Sequence, residues 1–102
     1  MSMMFSNRSK LTTIPQLDAS NVTDMYNIFN NCTSLTSIGI YGFRYSVKID
    51  STALGHDALV AFLNQAGTAY NSSQKITMGS AKLALLSDEE KAIATNKGWE
   101  LV

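Results

Sequence analysis

The first forty residues of the chain repeat themselves, and this repeat limits the fold more than any other feature of the sequence. When the sequence is shifted by 24 positions, residues 1–14 align with residues 25–38, and six of the fourteen pairs are identical. The identical pairs are Met1/Met25, Phe5/Phe29, Asn7/Asn31, Leu11/Leu35, Thr12/Thr36 and Ile14/Ile38. A period of this length is typical of architectures in which each unit is one strand with a helical return, and such units must stack to bury an apolar face.

The composition is that of a folded chain with little electrostatic bias. Of 102 residues, 45% are hydrophobic and 16% are charged, and the formal net charge is zero. The charges are scattered without runs, which argues against a nucleic-acid partner. No stretch approaches the roughly 20 apolar residues that a membrane span needs, and residues 1–10 lack the pattern of a signal peptide. We expect a single domain over 1–102, with no membrane insertion and no signal peptide in this chain.

Strand-like and helix-like patterns alternate along the chain, which predicts the α/β class with a mostly parallel sheet. Pro15 is expected to end the first strand, because proline cannot donate to a sheet ladder. The predicted strands lie near 11–14, 35–40, 43–49, 75–78 and 99–102, and the predicted helices near 22–30, 55–66 and 88–96.

Two of the helices are predicted from different signals. The helix near 88–96 begins with a capping box, in which Ser87 and Glu90 each bond the other's backbone. We expect Lys97 to stabilise the negative end of this same helix. The helix near 22–30 is predicted from apolar residues at helical spacing, which are Val22, Met25, Ile28 and Phe29.

Residues 41–49 alternate between apolar and polar side chains, as a strand does. The apolar positions are Tyr41, Phe43, Tyr45, Val47 and Ile49. We expect Phe43, Val47 and Ile49 to be buried. We expect Tyr41 and Tyr45, together with Arg44, to be at least partly exposed. Exposed tyrosine and arginine are frequent binding anchors, so these three are candidate ligand contacts. The alternative is that both tyrosines pack into the core with only their hydroxyl groups in water.

Two further surfaces are candidate contacts. The outward face of the sheet could accept a protein or a glycan, and its predicted members are Thr13, Ser37, Lys48, Thr77 and Glu100. The N-terminal edge of the stack should be apolar, which predicts a homo-oligomer formed through it. The residues of this edge are Met3, Met4, Phe5 and Leu11.

The sequence offers little for catalysis. Cys32, the single cysteine, is expected to be a buried and unreactive thiol. His56 is followed by Asp57, but neighbouring residues do not face each other on a helix, so a surface or capping role is expected. No grouping of residues indicates a metal or another cofactor, and we expect no enzyme.

Residues 11–35 resemble the repeat of BspA-like leucine-rich repeat surface proteins. The resemblance lies in the run Ser20–Met25, in Phe29 and in the run Asn31–Leu35, and it covers residues 1–40. Residues 41–102 look like the C-terminal repeat or capping unit that follows such repeats in proteins of gut bacteria and their phages.

The resemblance implies a short right-handed solenoid without catalytic residues. The expected function is recognition or adhesion of a protein or glycan ligand on a cell surface. The expected location is the cell surface, the extracellular space or the virion of a phage. The alternative is a purely structural role, in which the chain is the C-terminal cap of a longer solenoid.

Overall fold

The computed structural model describes residues 5–102, which contain three strands followed by a mixture of helices and strands. All strand pairs are parallel, which confirms the α/β class. Met3 and Met4, half of the predicted N-terminal edge, lie outside the described residues. The elements in chain order are β1 (Thr13–Asp18), β2 (Ser37–Tyr41), β3 (Val47–Lys48), α1 (His56–Gln65), β4 (Lys75–Thr77), α2 (Ser80–Leu83), α3 (Asp88–Thr95) and β5 (Glu100–Leu101).

β1 and β2 form a two-stranded sheet in the register that the repeat predicts. An irregularity follows before Leu17. There the strands approach closely, because a Cβ on Gly39 would lie 2.7 Å from the backbone nitrogen of Gln16. The first pairs, which join equivalent positions of the two repeats, are Thr13 with Ser37 and Ile14 with Ile38.

Two asparagines repeat the same conformation 24 positions apart. Asn7 and Asn31 have positive φ angles of 63° and 59°, in the left-handed region that asparagine tolerates better than most residues. The Asn31 side-chain amide donates to the Asn7 side-chain oxygen at 2.7 Å. The sequence repeat is therefore also a repeat of backbone geometry.

The prediction that Pro15 ends the first strand is wrong, because β1 runs through it to Asp18. Within the described residues β1 pairs only with β2. Proline is tolerated in such an edge strand, since the outer side of the strand needs no ladder donor.

Phe5 and Leu11, the described part of the predicted self-association edge, are half-buried against the core. The missing N–H of Pro15 limits strand pairing along this edge. Self-association through it stays a prediction. Light scattering at high protein concentration should give a mass above that of one chain, and a strict monomer would contradict it.

The helix predicted near 22–30 is absent, and the segment is a series of turns. Its backbone bonds span three residues, as from Ile28 N to Met25 O at 3.2 Å and from Cys32 N to Phe29 O at 3.1 Å. Three of the four residues of the predicted apolar face, Met25, Ile28 and Phe29, are nevertheless at 0% exposure, and Val22 is half-buried. Four of the five remaining positions are Asn, Thr or Asp, whose side chains compete with helical backbone bonding.

The strand predicted near 43–49 is also too long, since only Val47–Lys48 is a strand. Gly42, with a φ of 73°, turns the chain at the end of β2. β3 then begins a second sheet, of order β3-β4-β5. The other predicted elements, from α1 onward, are confirmed, and none of their ends differs by more than one residue.

A row of aromatic rings runs through the core across both sheets. Phe62, on α1, lies at its centre, 6.4 Å from Phe29 and 4.7 Å from Phe43 between ring centroids. Phe5 stacks on Phe29 at one end, and Trp99 lies 5.6 Å from Phe43 at the other. The row joins the N-terminal repeats to the C-terminal unit in one core.

Candidate functional site

Arg44, Tyr45 and Tyr70 form a surface group that we call the tyrosine–arginine cluster. The Tyr45 and Tyr70 rings stack with centroids 4.8 Å apart and planes 22° from parallel. The Arg44 guanidinium carbon lies 5.8 Å from the centroid of the Tyr70 ring, within cation–π range. Tyr70 is 55% exposed, so the cluster offers a large aromatic surface to solvent.

The backbone places these three residues side by side. The Tyr70 N–H donates to the Arg44 carbonyl at 2.8 Å. The Arg44 side chain returns to the same segment, where its Nε–H donates to the Thr68 carbonyl at 3.1 Å. Both ends of Arg44 are thereby attached to the loop that carries Tyr70.

The loop 68–74 is itself fixed by side-chain hydrogen bonds. Gln74 Oε1 accepts from the Ser46 backbone N–H at 2.8 Å, and Ser46 Oγ accepts from the Lys75 N–H at 3.0 Å. Asn71 Oδ1 accepts from the Ser73 N–H and from Gln74 Nε2, both at 2.9 Å. The loop therefore holds Tyr70 against Tyr45 before any ligand binds.

The exposure predicted for residues 41–49 is confirmed. Phe43, Val47 and Ile49 are fully buried, whereas Arg44 is exposed and Tyr45 half-buried. Tyr41 is 44% exposed. It makes no aromatic or cation–π contact with the described residues, so it lies outside the cluster. The exposure permits ligand contact, but that role stays a prediction.

Tyr70 was missed by the sequence analysis, because it lies in a loop that reads as polar. One signal in the sequence points to the segment that carries Tyr70. Extending the 24-residue period from Arg44 reaches Thr68, the residue to which its side chain bonds. The 24-residue spacing therefore recurs here as a hydrogen bond, although the two residues that it joins are not identical.

The five predicted outward positions belong to two sheets rather than to one, and their role as ligand contacts stays a prediction. Thr13 and Ser37 pair on the β1–β2 sheet, whereas Lys48, Thr77 and Glu100 belong to the β3-β4-β5 sheet. None of the five is buried. Gly42, with its positive φ angle, lies between the last strand of the first sheet and the first strand of the second.

A cleft of about 310 Å³ lies between the first sheet and α1, and Gln16, Ser37 and Gln65 are among its lining residues. Gln65 Oε1 is buried with no partner among residues 5–102. Such an atom is usually satisfied by ordered water.

His56 contacts two carboxylates, and the expectation that it does not face Asp57 is wrong. Its Nδ1 lies 2.9 Å from Asp57 Oδ1 and its Nε2 lies 2.6 Å from Glu90 Oε2. The hydrogen bond with Asp57, followed by that with Glu90, raises the pKa of His56 above its ordinary value. The bond to the Ser87 backbone, followed by that to His56, lowers the pKa of Glu90. His56 therefore links the start of α1 to α3.

Cys32 is fully buried, as expected. Its Sγ–H donates to the Phe5 carbonyl at 2.9 Å, and burial raises the pKa of the thiol. Since the thiolate is the reactive form, this environment disfavours a nucleophile.

Residues 5–102 contain neither a cluster of metal-ligand side chains nor a helix that could span a membrane. No three His, Cys, Asp or Glu side chains are grouped as metal ligands would be. None of the helices in this range is both long and apolar enough to span a membrane. Comparisons of the chain with protein-family models, with curated proteins and with solved structures find no match.

Proposed function

We propose that this chain is a non-catalytic recognition module that presents the tyrosine–arginine cluster to a protein or glycan ligand. The observation that carries the proposal is the exposed Tyr45–Tyr70 stack with Arg44 beside it. Tyrosine and arginine supply much of the binding energy at interfaces. Because hydrogen bonds already fix the loop 68–74, little conformational entropy remains to be lost on binding.

The scaffold in this proposal is a section of a right-handed, leucine-rich-repeat-like solenoid. Backbone bonds between successive segments support it. Gly67 N donates to Phe43 O at 2.9 Å, and Ala69 N donates to Lys97 O at 2.8 Å. These bonds continue the stacking of β2 on β1, as neighbouring coils of a solenoid require. An experimental structure without them would overturn this part of the proposal.

The resemblance of residues 11–35 to BspA-like repeats supports a place for the module on a bacterial surface or a phage tail. In that setting residues 1–40 are the repeats and residues 41–102 the C-terminal unit. The cluster lies on the C-terminal unit. Recognition would therefore depend on this unit rather than on the number of repeats before it.

Binding to intact bacterial cells tests the proposal. The fluorescently labelled chain should bind a panel of gut-bacterial cells, and the double variant Tyr45→Ala/Tyr70→Ala should bind about tenfold or more weakly, because each ring is a candidate anchor. Tyr26→Ala is the matched control, since Tyr26 is also an exposed tyrosine beside a positive charge. It is 42% exposed, and Lys48 Nζ lies 5.6 Å from the centroid of its ring. Circular dichroism confirms that each variant is folded.

A different result would favour the structural cap. If the folded double variant binds as the parent does, or if neither binds any cells, the recognition proposal fails. One observation favours a cap, since Trp99 closes the aromatic row at the end of the chain and its Nε1–H donates to the Gly67 carbonyl at 2.9 Å. A cap would stabilise repeats fused before it without affecting cell binding.

A further inference from the structure

We propose that the ligand of the cluster is an acidic polysaccharide, and that Arg44 binds a sugar carboxylate through its two terminal nitrogens. This inference rests on the proposed recognition function and names the class of ligand. It follows from the way Arg44 is held, from the charge of its surroundings and from the polar groups beside it.

One hydrogen bond orients the guanidinium of Arg44 and leaves its two Nη groups available for a ligand. Its Nε–H is bonded to Thr68 O, which leaves no Nε–H for side-on pairing with an anion. Neither Nη hydrogen-bonds to a residue between 5 and 102, and none of the ion pairs in that range includes Arg44. The two Nη groups form a planar fork that matches the two oxygens of a carboxylate.

The Tyr70 ring lies near the guanidinium, with its centroid 5.8 Å from the guanidinium carbon. The cation–π attraction to the ring, together with the Thr68 bond, favours this rotamer of Arg44, so less entropy is lost when the fork closes on an anion.

The local charge favours an anionic ligand. The segments 41–49 and 66–76, which build the cluster, contain no aspartate or glutamate. They carry Arg44, Lys48 and Lys75, and only Lys75 is in an ion pair, with Glu100 at 3.4 Å. The chain as a whole has zero net charge, whereas these two segments carry three positive charges and no negative one.

The neighbouring polar groups favour a sugar over an acidic peptide. Thr68, Asn71, Ser72 and Ser73 are all exposed beside Tyr70, and they present hydroxyl and amide groups that suit a polyol. The exposed tyrosine faces and edges suit the C–H groups of a sugar ring, because an aromatic face is electron-rich. A peptide is held best by an open strand edge or an apolar pocket, and the cluster stands on a loop.

Direct binding to immobilised polymers tests the inference. Polygalacturonate, alginate, hyaluronate and polysialate are compared with their carboxyl-reduced forms and with polyglutamate, by biolayer interferometry. At least one acidic polysaccharide should bind, and its reduced form should bind at least about tenfold more weakly. Binding should also weaken as salt is added.

Variants assign the contact to Arg44. Arg44→Gln should weaken binding about 10- to 100-fold, because a charge-assisted bidentate pair is lost. The affinity of Arg44→Lys should lie between that of Arg44→Gln and that of the parent chain, since lysine keeps the positive charge but lacks the two-nitrogen fork. Arg8→Gln is the control, because it removes the same charge from an exposed site at the N-terminal edge.

The outcomes separate the inference from the proposed function. Binding to cells without binding to any acidic polysaccharide would overturn the inference and leave recognition intact. Equal losses for Arg44→Gln and Arg8→Gln, or binding to polyglutamate as tight as to the best polysaccharide, would also overturn it. If neither cells nor polymers bind, both the inference and the proposed function fail.

Discussion

Replacement of Phe62 by alanine is expected to lower the free energy of unfolding by about 3–5 kcal/mol, as large deletions in a packed core do. Phe62 is fully buried and is the link between Phe29 on one side and Phe43 on the other. Domains of this size are stable by only about 5–15 kcal/mol, so the variant should lie near its unfolding threshold. Urea denaturation followed by circular dichroism measures the change.

Two further variants keep this prediction falsifiable. Phe62→Leu should cost less, on the order of 1–2 kcal/mol, and gives a value if the alanine variant does not fold. Leu85→Ala is the surface control, since Leu85 is 49% exposed, and it should change stability by less than about 0.5 kcal/mol. A loss of under about 1 kcal/mol in Phe62→Ala would show that the aromatic row does not join the two parts.

Trp99 fluorescence adds a second probe of the same row. Trp99 is the single tryptophan and lies at the end opposite to Phe5. In a two-state transition its fluorescence and the circular dichroism change at the same urea concentration. Separate midpoints in the parent chain would indicate that the repeats and the C-terminal unit unfold independently.

Much of the fold could be predicted because apolar periodicity survives in the sequence. The 24-residue repeat predicts the β1–β2 register, and the helix predicted near 55–66 is α1. The segment 22–30 was placed correctly in the core but given the wrong backbone, since consecutive turns can bury the same residues as a helix. Tertiary contacts favour the turns over a helix, and one of these contacts is the hydrogen bond from the Cys32 thiol to Phe5 O.

The candidate site could be predicted only in part, because some of its contacts join segments that are far apart in the sequence. Alternation predicts that Arg44 lies outside the core, and the expectation that Tyr45 is partly exposed is also confirmed by its burial. The stack with Tyr70 depends on a loop whose position is set by Gln74 and Ser46, 28 residues apart. No local pattern encodes such a pairing, so the partner of Tyr45 emerges only from the folded chain.

Lys97 shows how a correct local signal was assigned to the wrong helix. It follows α3, where a positive charge is favourable, but its Nζ donates to carbonyls at the end of α1. These are Leu63 O at 3.0 Å, Asn64 O at 3.1 Å and Ala66 O at 2.8 Å. The last turn of α1 has no basic residue of its own, so Lys97 supplies both the donors and the charge. Burial lowers the pKa of Lys97, but hydrogen bonds to three oxygens keep its ammonium partnered.

Substitution Lys97→Met should therefore lower the free energy of unfolding by about 2–3 kcal/mol, as the loss of hydrogen bonds to a charged group does. Methionine keeps the apolar stem, so the loss reports the ammonium rather than the packing. Lys91→Met is the matched control, because Lys91 lies in α3 and makes no side-chain hydrogen bond or ion pair with the described residues. It should change stability by less than about 0.5 kcal/mol. Equal urea midpoints for the two variants would mean that α1 does not need Lys97, and that its C-terminal carbonyls are satisfied by water instead.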